Sequence, residues 1–511
     1  MKIIGQAGIA ILFASITWSC KPHSQAVSFD AHRQGQLEVF TTSLTHELPI
    51  PALGLILVKG DSLFYGASGR TSLASPDGIV QAESTPFFMG NISPLMLVTA
   101  VMRLAADGRL DLADPVVKYL PYFQMGGSDV SGVTIRHLMN QTAGVPVHAS
   151  IWDRPDFSDG ALERTTQSIR FQPAEFTPPG SRVKRSAYNY DILADLIAKV
   201  SGMHFEDYMQ RAVLQPLGLK YSFYPKNESF EDKVAQPHRI INTLNYAIDS
   251  VGLYPANREH AGSMGLHATS ADLARWLYML VHKGRDPEGK QFLPQSWAEQ
   301  SFASFPIDAH TAVGYGWEIS SAPEGEVYEQ YHDMGGFSAH VAVVPNQELA
   351  VALISNISGD FDMRALSGKL MDWLRLGGDL PPAKPLLAKA LGDQLLAERN
   401  IDSVFRKYDR LRAEQPQAYD YSLSSLSQLG VNLLYKEKEI DWAIGFFEAC
   451  VTRFPQAAEA HLNLAEAYFV ARDSLKSKGT LEQAKALLAK ERNPNVDLSA
   501  RIALLEGVAI P

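Results

Sequence analysis

The chain has 511 residues, a formal charge of −10 at pH 7 and only two cysteines. That length is ample for more than one buried core. The acidic balance argues against nucleic acid as a partner, and two cysteines rule out a disulfide framework, so stability must come from buried apolar surface.

In chain order the first signal is residues 1–20: Lys2, an apolar run over 9–16, then Thr17-Trp18-Ser19-Cys20. The run is too short to span a bilayer and reads as an export signal. A small residue directly before Cys20 resembles the cleavage and lipidation site of bacterial lipoproteins; the alternative is an ordinary secretory signal cut nearby. The lipoprotein reading makes 21–30 a tether. It places the mature chain in the bacterial cell envelope, membrane-anchored through Cys20 and facing the periplasm or the cell surface. No later run of roughly 18 apolar residues would add a second span.

A helix pattern follows over 34–44, then strand-like runs at 54–58 and 62–66 joined by the turn Lys59-Gly60-Asp61. A long amphipathic helix is expected just after Pro94, and helical patterns dominate 95–280. Strands return at 314–319, 339–345 and 349–356, and a helix near 363–376 closes the region. Strands at both ends around an all-helical middle predict an α+β domain over 28–376, its antiparallel sheet formed by both ends of the domain. Gly377-Gly378-Asp379-Leu380-Pro381-Pro382 reads as part of a linker over 377–383. Residues 384–511 predict an α-helical repeat domain.

Several stretches of the first domain share one order with a known family. They are Glu83-Ser84-Thr85-Pro86-Phe87-Phe88, Met89-Gly90-Asn91-Ile92-Ser93-Pro94, Asp107-Gly108-Arg109-Leu110-Asp111-Leu112, Val133-Thr134-Ile135-Arg136-His137-Leu138-Met139, Pro179-Gly180, Gln215-Pro216-Leu217-Gly218-Leu219 and Gly265-Leu266-His267-Ala268-Thr269-Ser270-Ala271-Asp272-Leu273. In these the chain resembles the serine β-lactamase-like family: class C β-lactamases, D-alanyl-D-alanine carboxypeptidases and penicillin-binding proteins. The resemblance implies helices on both faces of the sheet. It also implies three places in which to look for chemistry.

The family's active-site helix begins Gly-Ser-x-x-Lys, the Ser acting as nucleophile and the Lys taking its proton. Here Asn91 stands at the serine position and Pro94 at the lysine position. A carboxamide forms no acyl-enzyme as a serine does, and proline carries no amine. Ser93 is expected to cap the helix ahead of Pro94 at the first helical position; the alternative makes it a displaced nucleophile. The family's Tyr-x-Asn, anchored on Pro179-Gly180 and on the helix from Tyr190, falls on Arg185 and Ala187. Arginine stays charged and cannot shuttle a proton as a phenol does. Tyr188 or Tyr190 would substitute only if the register shifted, and Ser186 is a second candidate for a displaced nucleophile.

The family's Lys-Thr-Gly or His-x-Gly strand, counted back from Gly336-Phe337, falls on Gln330-Tyr331-His332, with His332 where the substrate backbone would approach. A two-residue deletion would instead make His332 the family histidine. Gln141 and Ala143 also depart from the family's pattern. No His-x-x-x-His, Cys-x-x-Cys or nucleotide loop is present, so neither a metal nor another cofactor is expected.

In the C-terminal region Ala443, Phe447, Cys450 and Pro455, followed by Leu464, Ala465 and Tyr468, resemble the tetratricopeptide repeat. The second unit is interrupted at 471–480, which carries no repeat signature. Together these features imply a pseudoenzyme of the envelope that binds a peptide, a peptidoglycan fragment or a protein partner through its cleft and helical repeat. Arg185 and His332 are the candidate binding residues, Arg185 as a carboxylate contact. Two alternatives stand beside this: an active serine hydrolase of β-lactamase, carboxypeptidase or esterase type with a displaced nucleophile, and an interaction scaffold that works mainly through its repeats.

Overall fold

The computed structural model describes residues 27–75, 77–147, 155–306, 311–322, 325–359, 361–490 and 496–507. The export signal and Cys20 lie outside the described residues. No helix among those described is long and apolar enough to cross a membrane.

The first domain runs through α1 (Ala31–Glu47), β1 (Ala52–Lys59), β2 (Ser62–Gly69), α2 (Ser93–Ala106), α3 (Tyr188–Ser201), β3 (His238–Asn242), β4 (Ala247–Ser250), α4 (Ser270–Val281), β5 (Glu318–Ala322), β6 (Gly325–Met334), β7 (Phe337–Val344), β8 (Leu349–Ser355) and α5 (Met363–Leu376), with shorter turns and helices between them. Among the described residues nine strands join one sheet. Its order is Val27–Ser28, β2, β1, β8, β7, β6, β5, Thr311–Val313, Phe305–Pro306. Both ends of the domain meet where β1 pairs antiparallel with β8, Leu57 opposite Val351.

Strand alternation divides the core. Leu53, Leu55, Leu57, Val351 and Leu353 pack with Leu37, Phe40 and Leu44 of α1 and with Leu370 and Leu374 of α5. Ile56, Val58, Ala350, Ala352 and Ile354 face the opposite way, towards α2 and α4. Because helices cover both faces, β1 is buried almost throughout, where a one-sided sheet would alternate.

Three elements differ in detail from their sequence patterns. In α2 every residue except Arg103 and Ala106 is buried, so it is a central helix and not an amphipathic surface one. The run 314–319 is a strand only from Glu318 onward. Its first half is a turn, because Gly316 takes φ +81° and a side chain there would come within 2.9 Å of Leu95. The helical middle also carries the hairpin β3–β4.

The C-terminal region is all helical: α6 (Leu387–Glu398), α7 (Ile401–Glu414), α8 (Leu423–Val431), α9 (Ile440–Arg453), α10 (Ala458–Val470), α11 (Ser474–Leu488) and α12 (Val496–Gly507). Asp473 caps α11 by accepting from the Lys476 amide, so most of 471–480 is the start of a regular helix. Residues 377–383 are not slack: Leu380 is buried, and the Ala383 amide donates to Ser43 of α1 at 2.7 Å.

The hairpin β3–β4 joins the two regions. Its tip inserts Leu244 and Tyr246 among Leu387, Leu391, Leu395 and Leu433. Gly392 lets helix and hairpin backbones touch, since a side chain there would meet the Leu244 carbonyl at 1.9 Å. Asn432 Nδ2 donates to the Thr243 carbonyl at 2.8 Å and to the Tyr246 hydroxyl at 3.2 Å. Glu437 accepts from both the amide and the hydroxyl of Thr243, each at 2.8 Å.

Candidate functional site

A cleft of about 290 Å³ opens between the sheet and the helices, and Asn91, Pro94, Gln141, Arg185, Ser186, Ala187, Tyr190, Ser263, Glu318, Gln330 and Tyr331 are among the residues that line it. The structure therefore brings to one place Asn91, Pro94, Arg185, Ala187 and Gln330, which the sequence placed on three separate segments. Their spacing follows from backbone anchors on each side of the cleft.

The first anchor is Gly90, whose φ of +47° turns the chain into α2. A Cβ on Gly90 would lie 2.2 Å from His332 Nδ1, so the glycine makes room for the imidazole. His332 is 1% exposed, sits edge-on to Phe88 at 5.5 Å and accepts from the Asn91 amide at 3.4 Å. Burial pushes its pKa down to about 4, so the ring is neutral at neutral pH. The expectation that His332 binds ligand, or blocks its approach, is thus corrected: the ring points beneath the cleft floor and supports it. Gln330, two residues earlier on β6, is the one at the cleft, as the ungapped count places it. Its Nε2 donates to the Gly316 carbonyl at 2.8 Å, while the Gly316 amide donates to Met139 at 3.1 Å. Gln330 thereby holds the 314–317 turn against the cleft wall.

Asn91 is half-buried at the cleft surface, and its carboxamide has no hydrogen-bond partner among the described residues. Ser93 is different. It is the first residue of α2 and fully buried, and its Oγ accepts from the Leu266 amide at 3.0 Å. It does not line the cleft, and it does not cap the helix, because α2 continues directly from the helical turn Gly90–Ile92. Pro94 is consequently the second helical residue.

The opposite wall is organised by Gln141, which adopts φ +63°. Its Oε1 accepts from the Ser186 amide at 2.9 Å and from Asn189 Nδ2. Ser186 lines the cleft, but its hydroxyl proton is committed to the Pro146 carbonyl at 2.6 Å. A carbonyl is no base, so the contact gives the serine no nucleophilic character. Tyr190 also lines the cleft; burial holds its phenol up at about 12, and it donates to the Met139 carbonyl at 3.4 Å. Tyr188 points elsewhere, towards Ser168. Ala143 is buried outside the lining.

Two lining residues with polar side chains, Ser263 and Glu318, carry no marker in the sequence. Ser263 sits on the short helix Ala261–Met264, which is fixed by buried Asp191: one carboxylate oxygen accepts from the Ser263 amide at 3.0 Å and the other meets His260 Nδ1 at 2.8 Å. Its hydroxyl lies 3.4 Å from the His260 carbonyl. Glu318, at the start of β5, forms an ion pair with Arg185 across the cleft. It is the one carboxylate among the described lining residues, and Arg185 already engages it. The cleft thus offers hydrogen-bonding groups and one paired guanidinium, and no described lining side chain is poised to take a proton from a hydroxyl.

A family model described as beta-lactamase matches residues 42–370. Among curated relatives, the chain is 23% identical over 293 residues to the "Putative penicillin-binding protein PbpX" of Bacillus subtilis (strain 168), covering 57% of this chain and 67% of that protein. It is 23% identical over 331 residues to "Protein flp" of Staphylococcus aureus (strain MRSA252), covering 63% of each. A solved structure, the octameric penicillin-binding protein homologue from Pyrococcus abyssi, superposes with a TM-score of 0.57 at 19% identity, over 72% of this chain and 82% of that one. That likeness speaks to the fold alone.

Proposed function

Because the chain belongs to the β-lactamase family, we propose that it is a non-catalytic member whose cleft binds a peptide or cell-wall fragment without cleaving it. One observation carries the reading. Asn91 presents an open carboxamide at the head of α2, in the cleft, with Pro94 in place of any neighbouring amine. Acyl transfer needs a nucleophile, a base and oriented donors acting as a unit, and losing one member removes most of the rate. A binding pocket needs only shape and matched hydrogen bonds.

The same proposal places the protein in the cell envelope, exported by residues 1–20 and lipidated on Cys20. The helical region, similar in pattern to tetratricopeptide repeats, would add a surface for a protein partner. Intact-mass measurement of the mature N-terminus checks the anchor: a diacylglyceryl adduct on Cys20 is expected, and an unmodified N-terminus elsewhere contradicts it.

The cleft is tested by titrating an acylated D-alanyl-D-alanine peptide calorimetrically and recovering the peptide afterwards. Saturable binding with the peptide intact is expected, weakened by Asn91→Ala. Steady release of D-alanine would refute the non-catalytic reading, and absence of binding would refute the ligand class.

A further inference from the structure

Resting on the reading of the cleft as a binding site, we propose that Glu318 is a built-in competitor for an anionic group on the ligand: it holds Arg185, and a carboxylate-bearing ligand binds by taking Arg185 from it. Both side chains line the cleft and are paired to each other. The Arg185 side chain is 60% exposed, so an incoming ligand reaches it without any backbone movement. A guanidinium presents a planar fork that a carboxylate engages through two parallel hydrogen bonds, whether that carboxylate comes from Glu318 or from a ligand.

What makes the exchange costly lies on the neighbouring strand. In the β5–β6 ladder Glu318 stands directly opposite Glu329. Glu329 is already bound by His340 Nε2 at 3.1 Å and by Arg364, whose Nε donates at 2.9 Å. Like charges facing each other across a strand pair are destabilising. Arg185 supplies the counter-charge on the Glu318 side. A ligand that removes Arg185 therefore leaves two carboxylates facing each other with the Arg364 guanidinium, already bonded to Glu329, as the remaining counter-charge near both. The nearby Lys184 is not a ready substitute, because it pairs with Glu175 at 3.9 Å.

The latch is shallow. Exposed ion pairs contribute little, so releasing this one changes affinity by about two- to fivefold and does not open or close the cleft outright. It selects instead: a ligand without an anionic group gains nothing from Arg185 and meets no competition from Glu318.

The experiment compares diacetyl-lysyl-D-alanyl-D-alanine with its C-terminal carboxamide, on the intact chain and on Glu318→Gln, Arg185→Gln and the double variant, at low and high salt. Melting curves establish that each variant is folded. At low salt Glu318→Gln should tighten the carboxylate peptide about two- to fivefold and leave the carboxamide unchanged, with the gap narrowing at high salt. Arg185→Gln should erase the preference for the carboxylate, and adding Glu318→Gln to it should change nothing further. Equal binding of the carboxylate peptide by the intact chain and Glu318→Gln, or equal tightening of both peptides, overturns the latch and leaves the cleft reading standing. If neither peptide binds any of the proteins, the cleft reading fails and the latch fails with it.

Discussion

The cleft and the joint between hairpin β3–β4 and the helical region are both places where polar side chains from distant segments meet, and they are built differently. At the joint each polar group is answered: Asn432 and Glu437 satisfy the backbone and hydroxyl of Thr243 and reach Tyr246, inside a shell of leucines. At the cleft the Asn91 carboxamide is left open and the Arg185–Glu318 pair lies partly in water. Fully satisfied groups with apolar cover make a permanent contact, whereas open groups at a concave surface wait for a second molecule. Substitutions at the joint and beneath the cleft should therefore cost stability, and substitutions on the cleft surface should cost binding.

The largest expected effect is at the joint. Leu244→Ala removes a buried side chain from between the hairpin and the helices, and about 2–5 kcal/mol should be lost from the helical region. Denaturant unfolding followed by fluorescence checks this; an unchanged midpoint would mean the joint is not a shared core.

Next is Gly90→Ala, which drives a methyl group into the His332 ring and should cost about 1–3 kcal/mol. Trimming the ring as well, in Gly90→Ala with His332→Ala, should recover part of the loss. Failure to recover any would place the cost in the backbone conformation and not in the contact.

A pH effect of intermediate size follows from the buried histidines. His332 is pushed down to about 4 and His267 to about 3, both by burial. The unfolded chain binds these protons near pH 6.5 and the folded chain only much lower. Their contribution to stability is therefore complete above about pH 6.5 and is lost progressively as pH falls through 4. Melting temperatures measured from pH 7.5 to pH 4 should decline steadily, and the decline should be shallower in His332→Phe. A flat profile would contradict the burial of these rings in neutral form.

The smallest effect on stability belongs to Asn91→Ala. Since its carboxamide bonds to no other described residue, the change should stay within about 0.5 kcal/mol while ligand affinity falls. A large loss of stability would show that Asn91 has a structural partner.

How much of this could be read from the sequence depended on whether a residue sat beside a backbone marker. The turn Lys59-Gly60-Asp61 joins β1 and β2 because Gly60 takes φ +51°, and the 363–376 periodicity is α5. Asn91, Arg185 and Gln330 could be counted from Gly90, from Pro179-Gly180 and from Gly336, which fix where each segment enters the cleft.

His332 could not be placed so easily. It shares a strand face with Gln330, and only its distance along β6 from Gly90 decides that one faces the cleft and the other lies beneath it. Glu318 sits at a turn-to-strand change that depends on Gly316 packing over α2, and Ser263 depends on buried Asp191 far off in sequence. The β3–β4 hairpin was obscured for a similar reason: its exposed face keeps Ile241, while Leu244 and Tyr246 find cover only from helices some 150 residues further on. Long-range contacts of this kind leave little local pattern.

The most direct test of the account is intact-mass analysis of the protein after incubation with a fluorophosphonate and with a fluorescent penicillin. An unmodified mass is expected with both reagents. A stoichiometric covalent adduct, abolished by Ser93→Ala, Ser186→Ala or Ser263→Ala, would contradict it.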